Sequence, residues 1–226
     1  MDERSLRSII KAANIADKAL ADALKFLNAG IKEKSFASRL FRSIKLHGGD
    51  GFSFRPIIAS GKRSAIPHGR ASEKYIRDGD IVVVDFGVKY KGFCSDTTRT
   101  FVVGKPSKKQ VALFNILKEA QKKALAAVKD GVECRKVDAK ARGYLKRFNL
   151  DKYFIHSTGH GIAKRVHEPP RISRKSDDKL SSGTVITIEP GIYMKGWGGM
   201  RIEDMTLVTK TGHRLLTSFP RKLVPK

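Results

Sequence analysis

Sulfur is scarce in this 226-residue chain. Cys94 and Cys134 are the only cysteines, too few for a disulfide scaffold or a cysteine zinc cluster. That usage points to a reduced, cytoplasmic compartment. No apolar run approaches the ~20 residues that cross a bilayer; the conspicuous run Ile81-Val82-Val83-Val84 falls far short of it. This excludes a transmembrane protein. Met1-Asp2-Glu3-Arg4-Ser5 carries early acids and no apolar h-region, so no signal peptide is visible. Glutamine occurs only at Gln110 and Gln121. Acids are short as well, 22 against 46 Lys and Arg, which leaves a net charge of +24. Such a field attracts polyanions and steers anionic ligands. No basic run has stacking aromatics interleaved, so nucleic acid is expected as a non-specific partner at most.

What is present is enough for a core. Hydrophobic residues make up 40% of the chain and mean hydropathy is −0.33, a globular composition. Leu6, Ile9, Ile10, Ala13, Ile15, Leu20, Leu24 and Leu27 recur at helical spacing. Asn28-Ala29-Gly30 reads as a helix stop, and Lys34 to Ile44 as a second helix. Residues 52–59 read as one strand with Pro56 at an edge or bend. Ile81–Asp85 reads as a buried strand and residues 86–103 as its hairpin partner. Lys108–Lys129 and Arg135–Phe148 read as helices, and strands and turns return from residue 150. No Ser/Pro-rich linker divides the chain, so one α/β (α+β) domain is expected over 1–226.

The chain echoes itself. Gly79-Asp-Ile-Val-Val-Val-Asp85-Phe-Gly87 matches Gly183-Thr-Val-Ile-Thr-Ile-Glu189-Pro-Gly191, and Lys91-Gly92 matches Lys195-Gly196 at the same offset. A helical stretch precedes each copy. Two βαβ-like halves facing each other would bring both strand-end carboxylates near a pseudo-twofold axis.

An acid at the end of an apolar strand is costly unless it is paired or holds a metal. Asp85 and Asp96 fit either account, with Arg99 or another arginine as the pairing alternative. Four of the six histidines sit in short motifs: Pro67-His68-Gly69, His156-Ser-Thr-Gly-His160-Gly161 and Val166-His167-Glu168. Glu189 and Glu203 follow in Ile188-Glu189-Pro190 and Arg201-Ile202-Glu203-Asp204. Asp85, Asp96, Glu189 and Glu203 would bring four negative charges and His160 an imidazole, a set that suits two divalent ions better than one. Two such ions can share a water, lower its pKa and present hydroxide to a carbonyl. The helical HExxH zinc signature is absent.

The stretches SGKRSAIPHG, GDIVVVDFGVKYKGFCSDTTRTFVVG, HSTGHGIAKRVHEPP and TIEPGIYMKGWGGMRIEDMTLVT resemble the catalytic domain of the Xaa-Pro peptidases. These are prolidase and aminopeptidase P, in the pita-bread metallopeptidase superfamily that includes methionine aminopeptidase. The resemblance runs from about residue 5 to 223 and implies a pseudo-symmetric pita-bread fold. It implies Asp85, Asp96, His160, Glu189 and Glu203 as ligands of two divalent ions (Mn, Co, Zn or Fe), Asp96 and Glu203 bridging both. It implies Glu189 as proton shuttle, His68, His156 and His167 as residues that bind substrate and steady the tetrahedral intermediate, and Arg201 as organiser of the site. The implied substrates are short peptides with proline at the second position, cleaved before that proline. Family members of full length carry a further N-terminal domain that helps form a dimer; none is recognised in 1–226, so monomer and homodimer both stay open.

Two alternatives remain at this point. One is a methionine aminopeptidase or broader aminopeptidase on the same fold, suggested by small size. The other is a non-enzymatic pita-bread binding module, suggested by the charge. Cys94 reads as a small buried side chain, and His47 and His213 as surface residues. Trp197 either lines the substrate pocket or covers its own glycine-rich loop.

Overall fold

The structure is a computed structural model and describes residues 1–225. Asp2 accepts from the Ser5 amide and starts α1 (Glu3–Leu24). Of the apolar stripe read from the sequence, Ile9, Ala13, Ile15, Leu20 and Leu24 are buried on this helix together with Ala12, Ala16, Ala19 and Ala23, while Leu6 and Ile10 are half-buried and Leu27 lies past its end. Gly30, in the left-handed region at φ 92°, lies in the turn to α2 (Glu33–Leu46), which packs on α1. Next come β1 (Gly51–Phe52), β2 (Ile57–Ser60), β3 (Ile81–Phe86), β4 (Val88–Tyr90), β5 (Phe93–Cys94) and β6 (Thr97–Val102). A Ser107–Gln110 capping box opens α3 (Lys108–Ala126), and α4 (Cys134–Lys146) packs against it. The chain ends through β7 (Gly159–Gly161), β8 (Glu168–Ile172), β9 (Val185–Ile188), β10 (Gly191–Met194), β11 (Gly198–Arg201), β12 (Asp204–Val208) and β13 (His213–Leu215).

Every strand pairing is antiparallel among the described residues. One sheet has the order β2-β3-β6 and another β13-β12-β9-β7-β8. The smaller sheets are β1-β4-β5 and β10-β11. The two main sheets meet where Thr98 of β6 pairs with Glu203, the residue before β12, and the Glu203 amide donates to the Thr98 carbonyl at 3.1 Å. Helices α1 and α2 share an apolar core with β3, and α3 and α4 share another with β9.

The internal echo is therefore structural. The offset from Asp85 to Glu189 (189 − 85 = 104 residues) also carries α1 onto α3 to within two residues at either end. Each repeat is a helix pair followed by antiparallel strands with an acid just at or past the end of the central one. The expected βαβ-like halves are corrected here. A βαβ unit needs parallel strands on either side of a crossover helix, whereas β3 and β9 have antiparallel neighbours on both sides.

Residues 52–59 are also not one strand. The chain breaks after Phe52 around Pro56, and β1 and β2 join different sheets. The two long helices of the second repeat each end earlier than read, at Ala126 and Lys146. Cys94 is buried, and its thiol donates to the Lys164 carbonyl. His47 and His213 are half-buried rather than on the surface, and His47 contacts Asp22 at 2.8 Å. Trp197 packs on the core of the second repeat with Lys109 over its ring, which leaves it covering its loop. Among the described residues no helix is long and apolar enough to cross a membrane.

Candidate metal centre

Both main sheets deliver acids to the same place. β3 holds Asp85 near its end, and Asp96 stands one residue before β6. Glu189 follows β9 and Glu203 precedes β12. β7 adds His160. All five line one cavity of about 820 Å³, together with His68, His156, His167 and Arg201. Every site residue expected from the sequence is thus on the wall of a single space. Asp96, His160 and Glu203 offer ligand atoms within 4.8 Å of one another. Glu189 reaches the same imidazole, at 3.4 Å from His160 Nε2.

Burial makes this cluster costly without a cation. Two like unit charges at such distances repel by about 3–4 kcal/mol at an effective dielectric near 20. Burial, then the Glu203, Asp85 and Glu189 carboxylates, pushes Asp96 well above the usual carboxylate range. Burial, then Glu189 and Asp85, does the same to Glu203. Burial raises Glu189 to about 7. Burial likewise pushes His160 down to about 4, so its imidazole is a neutral nitrogen donor at neutral pH.

The arginine-pairing alternative is realised at one acid and only halfway. Arg201 donates to Asp85 Oδ2, while Arg99 serves Asp204 at 2.7 Å and the Glu203 carbonyl. Asp85 Oδ1 and Asp96 Oδ1 are buried with no hydrogen-bond partner. Buried carboxylate oxygens are normally satisfied. Unpaired oxygens, crowded acids and a neutral imidazole form a donor set that fits hard or borderline divalent cations.

Around the acids runs a network that sequence reading only partly anticipated. The Arg201 guanidinium donates to Asp85, to Thr98 Oγ1 at 3.0 Å and to the Tyr193 hydroxyl at 2.6 Å. Thr98 Oγ1 in turn donates to Glu203 Oε2 at 2.7 Å. The Tyr193 hydroxyl lies 2.9 Å from His156 Nε2, and His156 Nδ1 lies 2.8 Å from the Ser157 carbonyl. A carbonyl can only accept, so Nδ1 carries the proton and Nε2 accepts from Tyr193. Burial lifts the phenol to about 12 and lowers His156 to about 3, so both stay neutral at pH 7. His156 therefore has both nitrogens engaged inside the wall, while His68 and His167 are exposed at the cavity.

Tyr193 was missed because a tyrosine in a Gly-Ile-Tyr strand looks like ordinary core. Gln121 was missed too. Its amide, fully buried on α3, donates to the carbonyls of Ile188 at 3.0 Å and Ile202 at 3.3 Å, each one residue before a site glutamate. The scarcity of glutamine was a usable signal: both copies sit at structural joints. Three more cations line the cavity, Arg55, Arg70 and Arg171, all exposed.

Comparison with known proteins places this geometry. Residues 7–210 match the profile of Metallopeptidase family M24. A protein named Xaa-Pro dipeptidase from Pyrococcus horikoshii is 45% identical over 222 residues, covering 98% of this chain and 63% of its own length. The solved prolidase from Pyrococcus furiosus superposes with a TM-score of 0.95 at 44% identity, over 97% of this chain and 65% of that one. The X-Pro aminopeptidase from Thermotoga maritima gives a TM-score of 0.97 at 38% identity, over 99% of this chain and 64% of that one. The chain thus spans a little under two thirds of the length of these relatives. The pita-bread fold expected from the motifs is the fold of those structures.

Proposed function

This chain belongs to metallopeptidase family M24, and from that premise we propose that it is a metal-dependent peptidase that cleaves the bond between an N-terminal residue and proline. One observation carries the reading. Five donors of the right chemistry converge in one cavity, with two buried carboxylate oxygens left unpaired. Residues 1–226 act as one catalytic unit, because each repeat supplies part of the donor set. Asp85, Asp96, His160, Glu189 and Glu203 would hold two divalent ions. When bound, such ions polarise the scissile carbonyl and make a nucleophile of water at neutral pH. Their identity among Mn, Co, Zn and Fe follows availability as much as affinity.

The protein's own residues supply the remainder. Glu189, which burial raises to about 7 while no cation is beside it, is placed at the cavity wall to take a proton and return it to the departing nitrogen. A prolyl nitrogen carries no hydrogen in the peptide, so it must be protonated as it leaves. His68 and His167 face the cavity with nitrogens free to steady the carbonyl oxygen as charge develops, a contribution of about 3–4 kcal/mol per donor in such sites. His156 acts from within the wall: its ring sits 3.9 Å from Glu189 Oε2 and is held by Tyr193. Burial raises Asp85 above the usual carboxylate range and Arg201 opposes that rise, while the same guanidinium donates to Thr98, whose hydroxyl donates to Glu203.

The arginines favour short substrates. Arg70 pairs across to Ile57, whose other neighbour is Asp85. Two strand spacings put Arg70 about 10 Å from Asp85, within an arginine's reach of the free carboxylate of a dipeptide. That supports dipeptidase over aminopeptidase action.

The test is turnover by metal-loaded protein of Ala-Pro, Ala-Pro-Ala and Met-Ala-Ser in competition. Preferential cleavage of Ala-Pro is expected. Preference for Met-Ala-Ser would transfer the site to a methionine aminopeptidase, and no cleavage of any of them would remove the peptidase reading.

A further inference from the structure

The loop that carries His156 meets the site through Tyr193 and Glu189. It is also held from behind, by α4. Asp138 and Arg142 are one turn apart on that helix and form an ion pair at 2.7 Å, with Asp138 fully buried and the Arg142 side chain 11% exposed. Neither residue lines the cavity of the metal centre. The Arg142 guanidinium has a three-way grip: Nε on Asp138, Nη1 on the Phe154 carbonyl at 2.6 Å, and Nη2 on the His156 carbonyl. It also stacks over the Phe154 ring, 4.0 Å from the centroid. The other Asp138 oxygen accepts from Thr158 Oγ1 at 2.8 Å. The Thr158 carbonyl then accepts from the Glu189 amide at 2.7 Å.

We propose that Asp138, Arg142 and Thr158 form a positioning clamp that sets His156 and Glu189 relative to one another. The inference deepens the reading of Glu189 as proton carrier and rests on it. The chemistry of the parts supports it. A guanidinium offers donors in a fixed fork, so three acceptors on one Arg fix both the distance and the angle between helix and loop. Asp138 gives one carboxylate oxygen to the fork and the other to the Thr158 hydroxyl, so one side chain on α4 ties down both ends of the segment 156–158. Proton transfer tolerates little misplacement, and errors of about 1 Å in a reacting group can cost ~100-fold in rate. The clamp touches neither substrate nor ion. Its loss is therefore felt in the step where Glu189 acts and not in substrate binding.

Arg142→Lys separates positioning from packing, because a lysine keeps the charge opposite Asp138 but cannot bridge three acceptors. We expect kcat on Ala-Pro to fall at least tenfold with KM within twofold and a melting temperature close to wild type. Thr158→Val, which removes one hydroxyl, should lower kcat about threefold by the same route. A second readout needs no turnover. In metal-free wild type, ¹H–¹⁵N spectra of the imidazoles should show His156 as the single Nδ1–H tautomer, and Arg142→Lys should mix the tautomers. If Arg142→Lys retains wild-type kcat and an unmixed His156, the clamp is refuted. It is equally refuted if activity per folded molecule is unchanged in both variants. If the wild type hydrolyses no peptide, the function reading fails alone, and the tautomer spectra still decide the clamp.

Discussion

The two repeats share a frame and divide the labour unequally. In the first, β2, β3 and β6 are buried along their whole length and contribute Asp85 with its neighbour Asp96. In the second, β7 to β12 bring His160, Glu189, Tyr193, Arg201 and Glu203, and the loop before them brings His156. One pair of positions shows the divergence directly. Asp17 on α1 and Gln121 on α3 are 104 residues apart, the offset of the repeat, and both are buried. Asp17 accepts from the amide and hydroxyl of Ser218 at 2.7 Å and so ties down the C-terminal segment. Gln121 instead ties down the residues before Glu189 and Glu203. The same place on the same helix serves stability in one half and the site in the other.

The strongest way to break this comparison is to remove a second-repeat donor. Glu189→Ala and His160→Ala should each reduce kcat by about 10²–10⁴-fold, with circular dichroism unchanged. Full activity in either variant would contradict the site assignment. A finer cut sets the matched pair against each other. Gln121→Leu should lower kcat about tenfold, the equivalent of about 1.4 kcal/mol at the barrier. Asp17→Asn should lower the melting temperature and leave kcat within twofold. Equal kcat losses in the two would show that the halves are not functionally distinct.

The smallest effect is in pH-dependent stability. Glu189 titrates at about 7 in the folded chain against an ordinary value near 4.5. Below 4.5 it is protonated in both states and costs nothing. Between 4.5 and 7 the folded state holds a proton that the unfolded state has released, and the cost of the buried charge builds up. In chelator-treated protein, Glu189→Gln should therefore match wild type at pH 4 and melt higher by a few degrees at pH 8. A gap that is the same at both pH values would mean that the carboxyl is not strained by burial.

How much of this was legible in the sequence follows from where each residue's partners lie. Asp85 and Glu189 could be read as candidate donors because glycines bracket their strands and an acid at the end of an apolar strand is conspicuous; the full candidate set came from the resemblance of the motifs to a family. The helices could be read from period alone. The split of residues 52–59 could not, since Pro56 signals a bend but not which sheet each fragment joins. The antiparallel topology was misread because a helix preceding a strand looks the same whether the strand's neighbours run with it or against it. Gln121, Tyr193 and the Asp138–Arg142 pair escaped for a common reason. Each acts on groups brought to it by folding: backbone carbonyls 67 residues away in the case of Gln121 and Ile188, a side chain 37 residues away in that of Tyr193 and His156. No local pattern marks such a partner.

The pairing of Thr98 with Glu203 has a consequence for the molecule as a whole. It lies on the boundary between two half-sheets, each with its own helix pair and its own apolar cluster. Side chains from both sides of that boundary supply the donors, so a captured cation would rivet the halves across it. Amide exchange along β6 and β12 should then slow sharply on metal addition, and unfolding should gain cooperativity as two loosely joined bodies become one.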